Sequence, residues 1–186
     1  MATIERIRMT PAEFRQLGET AQPTELIDGE VIVSPTPVTK HQRIVGRIFV
    51  LLDHLITGGS LYGEAVVSPM DVWLDDNCVQ PDVFWVSGAE SKCKLGEDGY
   101  WYGAPDLVVE VLSPSTAHKD RRVKFDLYEK HGVREYWLID PDGQYMEIFV
   151  REGEKLARMG AFGLGEAFVS TVLGGVSIDA AALLKA

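Results

Sequence analysis

Asp106-Leu-Val-Val-Glu110-Val-Leu-Ser113 sets one acid among five apolar, largely β-branched residues. A strand that is apolar on both faces belongs inside a sheet covered on both sides. Because side chains alternate along a strand, Glu110 shares a face with Val108 and Leu112. Burying an unpaired carboxylate costs several kcal/mol, so Glu110 requires a cation, a metal or a proton.

A second acid opens the apolar strand in Gln80-Pro81-Asp82-Val-Phe-Trp-Val86. Taken alone, Asp82 could cap a turn after Pro81, and Glu110 could sit in a structural salt bridge. A third residue bears on the choice. Asp120 to His131 fits one helix ended by Gly132. At about 100° per residue from Val123, Leu127 falls near 40°, Lys124 near 100° and Tyr128 near 140°, while Arg122, Asp126 and Glu129 cluster between about 240° and 300°. Lys124 is therefore aimed at the sheet. It is either a snorkelling lysine or the partner of Glu110.

An Asp, a Glu and a Lys converging on one cleft suit metal-assisted hydrolysis of a phosphodiester. Two carboxylates offer Mg²⁺, or Mn²⁺, the hard oxygens it prefers. The metal would acidify a bound water, and the lysine would orient the attacking water or stabilise the negative charge that develops in the transition state.

Elsewhere the chain alternates helix and strand signals. Thr10-Pro11-Ala12-Glu13 is a capping box opening a helix to about Leu17, and Glu25 to Val33 is a hairpin around Asp28-Gly29. Lys40 to Thr57 has helical apolar spacing, stopped by Gly58-Gly59. Strands are predicted at Glu64–Val67, Asp71–Leu74, Val83–Val86, Leu107–Leu112, Glu135–Ile139 and Tyr145–Val150, with a small helix near Asp179–Leu184. Gly96 to Gly103 reads as a hairpin or lobe near the cleft mouth. Helices flanking a mixed sheet make the fold α/β or α+β.

The chain has 186 residues, 46% of them apolar, which predicts one domain over 1–186. Its longest apolar run is five residues, Ile48 to Leu52, far short of a membrane span. The N-terminus lacks the apolar stretch of a secretory signal, so a cytosolic protein is expected. Cys78 and Cys93 have no zinc-site spacing and are expected to be reduced. The net charge of −10 argues against a broad nucleic-acid footprint but is compatible with a local basic groove and a carboxylate site. Lys119, Arg121, Arg122, Lys130 and Arg134 form one basic region, and Lys40, Arg43 and Arg47 another. Either could meet a phosphate backbone or be a solvated face with acid partners. The four tryptophans are assigned to core or dimer surface.

Pro81-Asp82, Asp106 to Ser115, Lys124-Phe-Asp-Leu-Tyr128 and Gly132-Val-Arg-Glu-Tyr136-Trp137-Leu-Ile-Asp140-Pro together resemble the Uma-type restriction endonucleases of the PD-(D/E)XK nuclease superfamily. The resemblance spans roughly residues 10 to 175. It implies a restriction-endonuclease-like core, Mg²⁺-dependent cleavage of DNA and a homodimer. It also implies that Asp82 and Glu110 are the metal ligands. The superfamily's lysine normally stands two residues after the second acid, where this chain has Leu112. The Uma-type pattern instead places it on the following helix, at Lys124. Glu25 resembles the family's N-terminal acid, completing the metal shell or holding Lys124; the alternative is a surface strand residue. His41 also matches a family position and could bind phosphate, accept a proton or simply serve a helix start.

A competing reading is a catalytically inactive dimeric binding module that keeps the nuclease fold and uses Glu110–Lys124 as a buried ion pair. A carboxylate-pair glycosidase would use Asp82 and Glu110 as acid and base, but leaves Lys124 without a role.

Overall fold

The computed structural model describes residues 7–18, 20–88, 90–113 and 117–185. The order of elements is α1 (Pro11–Arg15), β1 (Thr24–Ile27), β2 (Glu30–Val33), α2 (Thr39–Thr57), β3 (Glu64–Val67), β4 (Val72–Leu74), β5 (Asn77–Val79), β6 (Val83–Val86), β7 (Lys94–Leu95), β8 (Trp101–Tyr102) and β9 (Leu107–Val111). There follow α3 (Ala117–Lys119), a π-helical turn π1 (Asp120–Lys124), α4 (Phe125–His131), β10 (Glu135–Asp140), β11 (Tyr145–Glu152), β12 (Lys155–Gly163), β13 (Ala167–Ser170), β14 (Val176–Asp179) and α5 (Ala180–Leu184). The Pro114–Thr116 part of the loop after β9 lies outside the described residues.

The apolar stretch around Glu110 lies inside a six-stranded mixed sheet ordered β12-β11-β10-β9-β6-β3. β9 runs parallel to β10 and antiparallel to β6, and all five of its residues are buried. Its two faces serve two cores. Leu107, Val109 and Val111 pack with Ile44, Ile48 and Leu52 of α2 and with Leu183 and Leu184 of α5. Val108 and Leu112 pack on the other side with Leu127 and Tyr128 of α4 and with Val72, Leu74 and Val79. Glu110 therefore points into the second layer, between β9 and the helix that follows it.

A second sheet, ordered β2-β1-β5-β4-β8-β7, brings β1 to that layer, and β13 and β14 form a small third sheet. The hairpin at Asp28-Gly29 forms with Thr24 opposite Val33, and both turn residues have positive φ. The capping box at Thr10 is complete. Gly132 ends α4 in the left-handed region, with φ of 93°. All four tryptophans are core residues, and both cysteines are buried and free.

Three sequence expectations need correction. Asn77–Val79 is a strand, reached by a tight turn in which Asp75 has φ of 54°. Residues 96–103 give part of the β7–β8 hairpin on the edge of the second sheet and do not line the cleft. Asp120–His131 is not one regular helix, because its first five residues are π-helical. Val123, the reference point of the helical projection, is exposed.

Candidate active site

The side chains singled out in the sequence converge on a cavity of about 340 Å³, whose lining includes Glu25, His41, Asp82, Glu110 and Lys124. Each arrives from a different element. Asp82 stands one residue before β6, beside the end of β9, and its Oδ2 accepts the Val111 N–H at 2.7 Å. The Nε2 of His41, in the first turn of α2, lies 3.2 Å from the same oxygen. Burial alone would lower the His41 pKa, but the hydrogen bond and charge of Asp82 raise it above its ordinary value.

Glu110 is 3% exposed. Its Oε1 accepts hydrogen bonds from Lys124 Nζ and Tyr128 Oη, each at 2.6 Å. Lys124, equally buried, also reaches Glu25 Oε1 at 2.7 Å and stands 3.8 Å from Asp120 Oδ1. Glu25 is not a surface residue: its Oε1 also accepts the Gln80 N–H at 3.0 Å, and its Oε2 receives Lys119 Nζ at 2.5 Å.

Sequence reasoning did not assign Lys119 and Asp120 to the site. The π turn accounts for both. In an α-helix, residues five apart diverge by about 140°, whereas i→i+5 bonding aligns them. Lys119 and Lys124 thus reach the two oxygens of the same glutamate. The neighbouring cations do remain outside, with Arg121 bound to Glu147 and Arg134 to Asp106.

Charge is unevenly distributed. Burial would raise the pKa of Glu25, but Lys124 and Lys119 hold it at about 2. Glu110 shares only Lys124 and faces Asp120, Asp82 and Glu25, so burial and those acids push it up to about 8. Lys124 itself is held cationic by the surrounding carboxylates, against its desolvation.

Burial of an acid alone does not mark this site. Glu135, fully buried, accepts hydrogen bonds from the N–H groups of Thr171 and Val172, the Thr171 hydroxyl and Trp137 Nε1. Those partners are N–H and O–H groups, and Glu135 does not line the cavity. The cavity, by contrast, gathers four carboxylates, Glu25, Asp82, Glu110 and Asp120, against two lysines. With His41 neutral and the carboxylates and lysines ionised, that is an excess of two negative charges, which a divalent cation would offset. Among the described residues no three acidic, His or Cys side chains form a ready-made cage. Mg²⁺ needs none, since it keeps several waters and binds through one or two carboxylates. The oxygens of Asp82 and Glu110 fit such an ion.

A profile of the Uma2 family, described as "Putative restriction endonuclease", matches residues 11–181. Uncharacterized protein sll1609 of Synechocystis sp. is 31% identical over 151 residues, covering 79% of this chain and 83% of its own length. The crystal structure of a "putative nuclease belonging to DUF820" from Anabaena variabilis matches with a TM-score of 0.78 over 95% of this chain and 97% of that one. At 22% identity, that likeness is one of fold.

Proposed function

Since the chain belongs to the Uma2 family described as "Putative restriction endonuclease", we propose that it is a single-domain, metal-dependent endodeoxyribonuclease whose active site is the cleft of Asp82, Glu110 and Lys124. The observation that carries this reading is a buried, cationic Lys124 in the cavity wall, held between Glu110 and Glu25 and surrounded by more acids than cations. A structural ion pair needs one acid and no cavity.

In this reading Asp82 and Glu110 would hold Mg²⁺ or Mn²⁺. When bound, the ion would lower the pKa of a water and offset the charge of the scissile phosphate. The rest falls to the chain. The Val111 N–H and His41 fix the Asp82 carboxylate. Tyr128 fixes Glu110 by donating to its Oε1. Lys124 presents a permanent positive charge to the phosphoryl oxygens as negative charge develops there. Glu25 and Lys119 position Lys124, which would otherwise be free to swing on its four-carbon stem. The working unit is taken to be a homodimer, as the family resemblance implies.

The test is cleavage of supercoiled plasmid and of linear single- and double-stranded DNA with Mg²⁺ or Mn²⁺. The wild type cuts at least one of these substrates, and Asp82→Asn and Glu110→Gln lose about 100-fold or more of the rate. Full activity in either folded variant would overturn the assignment. A second reading, the inactive binding module, is favoured by the saturation of Glu110 Oε1 by Lys124 and Tyr128, which gives that oxygen two partners without a metal. It predicts neither cleavage nor metal uptake.

A further inference from the structure

The mechanism leaves the outer face of α2 unused. On a helical projection with Lys40 at 0°, Arg43, Arg47 and His54 fall about 60°, 20° and 40° away, all on the same side. The helix buries Ile44, Val45, Ile48 and Leu52 on a different arc. Its acid Asp53 lies about 140° from Lys40 by the same projection. The result is a basic stripe along one edge of a 19-residue helix, on a chain whose net charge is −10.

The stripe begins one residue away from the cleft, although Lys40 itself does not line the cavity. Lys40 immediately precedes His41, whose ring contacts Asp82. Farther along, Arg43, Arg47 and His54 line one wall of a groove between α2 and α5. The facing acids are few. Asp142, itself 79% exposed, lies 3.1 Å from Lys40, and such a pair is readily exchanged. Asp179 also lines the groove, with its carboxylate accepting the Ala181 N–H. Arg47 donates to the Leu183 carbonyl at 3.3 Å. Arg43 is exposed and has no ion-pair partner among the described residues.

We propose that this stripe is a track for the phosphate backbone of the nucleic acid, leading a strand into the cleft. The proposal rests on the nuclease reading for the identity of the ligand. The rise of a helix puts Lys40 and Arg47 about 10 Å apart, which matches about three phosphate steps of one strand measured along the duplex axis. Two arginines and a lysine at that spacing provide charge complementarity and register. They read no bases, so the track adds affinity without sequence preference.

The test is fluorescence anisotropy of a fluorescein-labelled duplex of random sequence, titrated with protein in EDTA across a range of salt concentrations. Arg43→Glu weakens binding about tenfold at low salt. Arg43→Ala/Arg47→Ala lowers the slope of log affinity against log salt by about two. Lys155→Ala, on the far strand β12, changes neither. Arg43→Glu alone decides the matter should loss of the Arg47–Leu183 contact perturb folding. Unchanged affinity and slope in the arginine variants, with a wild type that binds and cuts DNA, would overturn the track and leave the nuclease reading intact. A wild type that neither binds nor cuts overturns both. Arginine-dependent binding without cleavage keeps the track and removes the nuclease. Polyglutamate competing as well as DNA at equal charge would make the face a site for acidic polypeptides and overturn the proposal.

Discussion

Lys124 Nζ, carried on a π-helical turn, stands 2.6 Å from Glu110 Oε1, in the layer between the six-stranded sheet and that turn. Both residues are 3% exposed, and Lys124 is compensated for leaving water by Glu110 together with Glu25, 2.7 Å away. Replacing Lys124 by Met leaves Glu110 and Glu25 short of a cation and should cost about 3–5 kcal/mol of stability by urea denaturation. Adding Glu110→Gln should restore part of that loss. Strict additivity of the two substitutions would mean that the pair is not coupled.

The two glutamates that share Lys124 give opposite pH dependences. Glu110, at about 8, binds a proton in the folded state that the unfolded chain has released near 4.5. Its contribution is full below about pH 4.5 and is lost as pH rises toward 8. Glu25, at about 2, contributes above about pH 4.5 and loses that contribution as pH falls toward 2. Metal-free protein should therefore lose stability from pH 5 to pH 8. In Glu110→Gln that decline should flatten, and an identical slope in the variant would rule out Glu110 as its source.

Lys119 should behave unlike other surface-region lysines. Its bond to Glu25 is mostly shielded, with the two side chains 14% and 4% exposed. Lys119→Ala should cost about 2 kcal/mol, the range for a hydrogen bond between charged groups, and should slow cleavage by loosening Glu25 and hence Lys124. Lys155→Ala, which removes an exposed partner of Glu129, should leave the urea midpoint where it was.

Glu135 separates burial from function. Glu135→Ala strands the Thr171 and Val172 N–H groups and Trp137 Nε1. That should cost about 2–4 kcal/mol while the folded fraction keeps its metal affinity and cleavage rate. Loss of metal binding in folded Glu135→Ala would place the site wrongly.

The sheet and the inward lysine were legible because they leave periodic signals. Apolar residues on both sides of Glu110 marked an interior strand, and the polar cluster of Arg122, Asp126 and Glu129 marked the outer side of the helix. Lys119 and Asp120 were harder. Lys-Asp-Arg-Arg reads as a solvated run, and a 100° projection turns Lys119 to the polar side. Asp120 falls near 60° on that same projection, within the apolar arc, and that was the available signal. The π turn that gathers both lysines has no signature in residue type. Strand Asn77–Val79 was equally hidden: three residues after Asp75-Asp76 are too few to show alternation. Glu25, by contrast, shares a hairpin pattern with surface strands, and its burial depends on β1 packing beside β5 far along the chain.

The most direct test of the central claim is calorimetric titration of the metal-free protein with Mn²⁺ and with Mg²⁺, alone and with a DNA duplex, beside the Asp82→Ala/Glu110→Ala double variant. The wild type should show a saturable site that is missing from the folded variant. Equal binding by both proteins would place the metal elsewhere. No binding by the wild type, even with DNA present, would contradict the nuclease and leave a nuclease fold used for binding.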